Sequence, residues 1–230
     1  MFSMLRHAKK MLMDILFPRN CHLCLRLLDK EAAAFDGFLC SDCVKKMAKT
    51  QVLRQSFSAF KISVCDAVYA CYVYDGPVKE LIHKYKYGNR PYLVKSIVAL
   101  MADVLKEAQD AFLKETDCLV PVPLHPVRFR EREFNQSELL ADRLSQTLQK
   151  PVVRALNRTK NTPSQVSLSK KDRLDNMKGA FSSKTPSAVE GKNVLLIDDV
   201  VTTAATALEA SRVLKDAGAR SVRVLAFAKG

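Results

Sequence analysis

The 230-residue chain is 48% hydrophobic and carries a formal charge of +13, which suffices for one medium domain with a real core plus a small one. Its basic balance suits polyanionic partners such as nucleic acid, phosphorylated small molecules or an anionic membrane face, although many domains are simply basic. No apolar stretch approaches the ~20 residues that span a bilayer. The seven glycines form neither a G-x-G-x-x-G pattern nor a Walker loop, which excludes dinucleotide binding and P-loop nucleotide hydrolysis.

The amino-terminal segment MFSMLRHAKKMLMDILFP places Met4, Leu5, Met11, Leu12 and Ile15 at helical spacing. Its apolar run is short, Asp14 interrupts it, and no small-residue cleavage site follows. An amphipathic helix is therefore expected, and no secretory signal. Such a helix packs on its own protein or lies on a partner or a membrane surface. Seven cysteines in a chain without a leader point to a reducing, cytoplasmic setting, where paired cysteines read as metal ligands before disulfides.

The stretch CHLCLRLLDKEAAAFDGFLCSDC contains Cys21, Cys24, Cys40 and Cys43 as two C-x2-C pairs separated by fifteen residues. Two residues between cysteines make a tight knuckle that points both thiolates at one ion, and two knuckles complete a tetrahedral S4 shell for Zn2+. Four protein ligands leave no open coordination position, so the role is structural, and the ion supplies folding free energy to a fragment with a poor core. His22 reads as an exposed spacer within a knuckle. Cys65, Cys71 and Cys118 lie among apolar residues and read as buried small hydrophobes.

Beyond residue 60 the pattern alternates. Asp66–Tyr74 reads as a buried strand. Gly76 and Pro77 open a helix with Val78, Leu81, Ile82 and Tyr85 on one face and Lys79, His83, Lys84 and Lys86 on the other. A second amphipathic helix starts at Pro91, and Cys118–Pro123 is a short strand. Residues 133–150 are helical, Pro151–Leu156 forms a strand, and Asn157–Lys184 is polar, basic and aperiodic: a solvated loop or a mobile lid over a polyanion. Val194–Ile197 is a strand, Thr206–Ala217 a helix, and Ser221–Ala228 a last strand. Alternating strands and helices imply an α/β fold with a mostly parallel sheet covered on both faces.

In VLLIDDVVTTAATALEA (Val194 to Ala210), Asp198 and Asp199 follow the strand, at the carboxyl edge where open parallel sheets bind ligands. The pattern Thr206-x-x-Glu209 is a capping box. It places a tight turn, Thr202 to Thr206, at a helix N-terminus that offers backbone N–H groups, the positive helix dipole and hydroxyl donors to a phosphate. Ala204 and Ala205 keep the surface small. The two carboxylates would repel that phosphate, so they face hydroxyl groups or Mg2+. A sugar phosphate meets both demands; ordinary first-turn charges and loop threonines are the plainer alternative.

This stretch resembles the phosphoribosyl-diphosphate (PRPP) motif of type I phosphoribosyltransferases. Together with LIHKYKYGNR (Leu81 to Arg90), VPVPLHPVRFREREFNQSELLA (Val120 to Ala141) and LNRTKNTPSQVSLSKKDRLDNMKGAF (Leu156 to Phe181), it resembles the ComF family of competence-associated proteins. Those join a zinc ribbon to a phosphoribosyltransferase-like domain, which implies residues 1–60 as the amino-terminal helix and ribbon and residues 61–230 as the larger domain. The resemblance implies that Asp198 and Asp199 serve the ribose hydroxyls and Mg2+, and that Thr202, Thr203, Ala204, Ala205 and Thr206 hold the 5′-phosphate. Pro121 to Arg128, with Arg132, Asn135 and Gln136, correspond to the diphosphate loop, and residues 157–178 to a closing loop. It further implies PRPP or a related sugar phosphate as ligand, and action in DNA uptake with single-stranded DNA or an ATPase/helicase partner. An active phosphoribosyltransferase and a zinc-dependent interaction protein are the alternatives. Two departures stand out: Ala204 and Glu133 occupy positions where the family usually has glycine. Thr202 stands where 6-oxopurine phosphoribosyltransferases carry an aspartate base, which argues against hypoxanthine or guanine as acceptor.

Overall fold

The computed structural model describes residues 19–28, 33–34, 38–50, 64–108, 111–161 and 176–230. The expected amino-terminal helix and the centre of the expected lid lie outside the described residues. The cysteine-rich segment contributes β1 (Ala33–Ala34), β2 (Leu39–Cys40) and α1 (Ser41–Lys45). After it come β3 (Ala67–Val73), α2 (Gly76–Tyr87), a 3-10 turn, α3 (Val94–Ala108), α4 (Ala111–Glu115) and β4 (Cys118–Pro121). Helices α5 (Pro126–Arg132) and α6 (Gln136–Leu148) precede a two-stranded hairpin of β5 (Leu156–Arg158) and β6 (Phe181–Ser183). The chain closes with β7 (Asn193–Val201), α7 (Ala205–Asp216) and β8 (Ser221–Lys229).

Strands β3, β8, β7 and β4 form one sheet in that order, and every neighbouring pair is parallel. Successive side chains of a strand point to opposite faces, and β7 shows the consequence. Leu195 and Ile197 join Leu81, Ile97 and Leu140 of α2, α3 and α6 on one face. Val194 and Leu196 join Ala207 and Leu214 of α7, with Leu156 and Phe181 of the hairpin, on the other. Both faces are therefore covered, as a parallel sheet requires. The edge of β3 is covered by the chain leaving the cysteine-rich segment: Val73 donates to the Ala48 carbonyl and Thr50 to that of Cys71.

Three expectations need correction. Residues 126–132 form helix α5, with Pro126 at its first turn and the His125 side chain accepting from the Val127 N–H; proline's fixed φ suits that position. The helix expected from residue 133 starts at Gln136, because Glu133 (φ 64°) ends α5 in the left-handed region and Asn135 caps α6 through the Ser137 N–H. The strand expected at Pro151–Leu156 reduces to a bridge between Leu119 and Val152, with β5 beginning at Leu156. Cys71 and Cys118 are fully buried, as expected.

Candidate functional site

Strand β7 carries Asp198 and Asp199 within its own length, pairing on through Val201 with Lys229 of β8. The carboxylates stand at the carboxyl end of the sheet, although the strand does not stop before them. A cleft of about 240 Å³ opens there, lined by Lys86, Arg128, Arg132, Arg158, Asp198, Asp199 and Thr206 among others. Segments distant in sequence converge on it because helices α2, α5 and α6 all end or begin at this edge.

The Asp199 carboxylate is buried and accepts a 2.7 Å ion pair from Lys86 Nζ. Asp198 accepts from the Ser137 hydroxyl at 3.1 Å and from the Asp199 N–H at 2.9 Å. Burial, and then the neighbouring Asp199 charge, push the Asp198 carboxyl up to about 7, against the pull of Lys86 and both hydrogen bonds. For Lys86, burial works against the charged form, but Asp199 outweighs it and the ammonium is held above its ordinary range. The basic wall is organised by stacking: the Arg132 guanidinium lies 4.9 Å from the ring centroid of Tyr87, at the end of α2, while donating to Gln136 Oε1 at 3.2 Å and to the Tyr87 hydroxyl at 3.0 Å. Gln136 is 1% exposed and its Nε2 has no partner, a donor held ready beside the cleft.

The expected site residues are distributed unevenly. Arg128, Arg132, Asp198, Asp199 and Thr206 line the cleft, whereas Pro121 is buried in β4 and its neighbours Val122 and Leu124 form the wall. Thr202 and Thr203 lie in the turn, with the buried Thr203 Oγ1 unpartnered. Ala204 caps α7 at φ 59°, and Ala205 opens the helix. The capping box does not form. Glu209 accepts from the Gly179 N–H at 2.7 Å and from Arg212, tying the end of the 157–184 segment to α7. Burial would raise the Glu209 carboxyl, yet these bonds hold it low. Glu133 is exposed and outside the lining of the cleft. Arg154 is neutralised by Glu138 and Asp142.

Sequence reasoning missed Lys86, placing it on the solvent face of α2. The signal was present in its spacing: Lys86 stands four residues after Ile82, which is buried, and one after Tyr85, also buried.

The second cluster is the cysteine knuckle. The Sγ atoms of Cys21, Cys24, Cys40 and Cys43 all lie within 4.8 Å of one another, and Cys24 Sγ is 3.6 Å from Cys40 Sγ. A tetrahedral shell with Zn–S bonds of about 2.3 Å has edges of about 3.8 Å, so the donor set and its spacing fit Zn2+. The Cys40 and Cys43 N–H groups donate to the Cys21 and Cys40 sulfurs. The Arg26 N–H, the largest influence, lowers the Cys24 thiol to about 7, whereas burial raises those of Cys40 and Cys43. His22 is more than a spacer. Its carbonyl accepts from Lys84, its Nδ1 meets Arg90 at 3.0 Å, and its ring packs on Phe38 and Tyr92.

A parallel sheet with an acidic pair at its carboxyl edge and a following helix N-terminus defines a phosphoribosyltransferase-like α/β protein. Residues 135–230 match the phosphoribosyl transferase domain family. The chain is 33% identical over 159 residues to Competence protein F of Haemophilus influenzae, covering 68% of this chain and 69% of that protein. It is 36% identical over 153 residues to the DNA utilization protein YhgH of Escherichia coli K12, covering 66% of each. It is 29% identical over 205 residues to Competence protein ComFC of Bacillus subtilis, covering 86% of this chain and 78% of that one. The chain belongs to the ComF family. Among solved structures, glutamine PRPP amidotransferase from B. subtilis aligns with a TM-score of 0.42 and 20% identity, over 63% of this chain and 30% of that chain. Among the described residues no helix is long and apolar enough to cross a membrane.

Proposed function

We propose that the cleft binds PRPP or a related sugar phosphate together with Mg2+, and that the protein acts in DNA uptake and utilization. The observation that carries this reading is the lining of one cleft by both Asp198 and Asp199 and Arg128, Arg132 and Arg158. Carboxylates suit ribose hydroxyls and a hard divalent cation, and guanidinium forks suit phosphate oxygens. The start of α7, with Thr206 facing the cleft, adds the positive end of a helix dipole for the 5′-phosphate. Asp198 and Asp199 would hold Mg2+, which offsets diphosphate charge when bound. The relatives named for competence and DNA utilization supply the process. Single-stranded DNA and a helicase-type ATPase are the partners this reading assigns, with the chain working in the cytoplasm and touching membrane only peripherally. It divides into a Zn2+-held ribbon, residues 1–60, and a ligand-binding unit, residues 61–230.

A second reading, transfer of the phosphoribosyl group to an acceptor, is favoured by Tyr87. Tyr87 is 61% exposed and lines the cleft, and its ring is a platform for a planar acceptor. In that reaction an acceptor nitrogen bonds to ribose C1 as the C1–O bond breaks and diphosphate departs toward the arginines.

A thermal shift of the zinc-loaded chain with PRPP and Mg2+ tests the binding reading. Ligand at 100 times its dissociation constant stabilises by about 2.7 kcal/mol, or very roughly 5 °C for a chain of this length. Asp198→Asn should abolish the shift. No shift in folded, metal-loaded protein would sink the reading. Diphosphate release across a panel of planar amines and bases then separates transfer from binding.

A further inference from the structure

Helix α2 presents Lys79 and Lys84 away from the sheet edge, with Lys84 taken up by Glu80 and the His22 carbonyl. Lys86 differs: its side chain is 17% exposed, inside the cleft, on Asp199. A buried lysine–aspartate pair is a poor route to stability, because desolvation of both charges offsets most of their attraction. An apolar residue after Tyr85 would extend the buried face of α2 more cheaply. Ionisable pairs retained in a cleft at such a cost mark working sites.

The position of Lys86 is also particular. Its ammonium feels attraction from both Asp199 and Asp198 and repulsion from Arg132. Charges of both signs therefore act on it within the cleft. A cation seated on Asp199 at 2.7 Å and a divalent ion on the same carboxylate repel each other strongly at such range. Asp199 consequently cannot take a bare divalent ion without displacing Lys86, and an anionic ligand in the cleft would offer the ammonium another acceptor.

We infer that Lys86 makes divalent-cation binding depend on the anionic ligand: it holds Asp199 in the free protein and passes to phosphate oxygens when the ligand enters, releasing the carboxylate to the metal. The inference rests on the sugar-phosphate reading of the cleft. It assigns Lys86 a direct contact with ligand.

The test uses the full zinc-loaded chain. Mn2+ binding without ligand is followed by electron paramagnetic resonance, and PRPP binding with Mg2+ by calorimetry. Lys86→Met should bind Mn2+ more tightly and PRPP more weakly, each by about tenfold or more, the size of one charged contact. Lys86→Arg should restore exclusion of Mn2+ and most PRPP affinity. Where Lys86→Met does not fold, Lys86→Gln, which keeps a hydrogen bond without the charge, carries the same expectation. Affinities that fall together, or do not change, overturn the inference while leaving the functional reading intact. Wild-type protein that binds no PRPP overturns that reading, and the inference with it.

Discussion

The cysteine knuckle and the cleft are both polar clusters set against apolar cores, but they are built in opposite ways. The knuckle draws its four thiols from residues 21 to 43 and fixes them by short spacing. The cleft draws Lys86, Arg132, Ser137, Arg158 and Asp198 from five separate elements and fixes them by the sheet. Local ligand sets need an ion to hold a fragment with little core of its own, whereas a convergent site inherits its rigidity from the core beneath it. The difference predicts that the knuckle fails by metal loss and the cleft by charge imbalance.

Removing the Zn2+ proposed for the knuckle should produce the largest change. Structural zinc sites bind with apparent free energies of about 10–16 kcal/mol, so chelation or Cys40→Ser should unfold the knuckle. The β7–β8 pairing, buried on both faces, should persist. Hydrogen exchange would show the separation: fast exchange at residues 19–50, retained protection in β7 and β8, and partial loss at the end of α2, where Lys84 and Arg90 meet His22. Loss of protection throughout would mean that the two regions form one cooperative unit.

Charge imbalance in the cleft comes next. Asp199→Asn strands Lys86 in a buried site, at a cost of about 3–5 kcal/mol. The Lys86→Met/Asp199→Asn double variant should recover most of that stability, because it removes both charges. Denaturant melts decide the matter, and additive losses would contradict a coupled pair.

A pH series sharpens the comparison. Asp198 has a folded-state pKa raised to about 7, above its unfolded value of about 3.9. Between those values the folded protein retains a proton that the unfolded chain has lost, so this contribution makes stability fall as pH rises from 4 to 7. In zinc-loaded protein free of Mg2+ and ligand the loss should reach about 2–4 kcal/mol across that window, and Asp198→Asn should flatten it. Equal slopes in both proteins would contradict the raised pKa.

The smallest effects belong to the two left-handed positions, Glu133 at φ 64° and Ala204 at φ 59°. A non-glycine residue there costs roughly 1–2 kcal/mol, partly offset by the greater unfolded-state freedom that glycine brings. Ala204→Gly and Glu133→Gly should each stabilise by up to about 1 kcal/mol, read as a rise in Tm. Destabilisation by Ala204→Gly would show that the methyl group, 4% exposed in the α7 cluster, outweighs the backbone strain.

What could be read in the sequence follows the same division. Spacing gives away local features, so the cysteine knuckle and the aliphatic strand running into Asp198 and Asp199 were plain. The family resemblance also flagged Ala204 as standing in place of a glycine, and the turn into α7 gives it a φ of 59°. Convergence leaves weaker traces. Lys86 looked like part of a solvated face because its neighbours Lys79 and Lys84 are polar too; only the sheet edge beneath α2 makes it internal. Glu209 matched a capping box, but Gly179 and Arg212 compete for its carboxylate, and tertiary contacts prevailed over the local pattern. Helix α5 was hidden by the prolines that precede it, although Pro126 itself starts the helix.

The central claim is that the cleft takes a sugar phosphate with a divalent ion. Calorimetric titration of PRPP into zinc-loaded protein, with and without Mg2+, tests it most directly. The account predicts one site per chain, binding that depends on Mg2+, and its loss in Asp198→Asn. Binding that ignores both Mg2+ and Asp198, or no binding at all to folded protein, would contradict it.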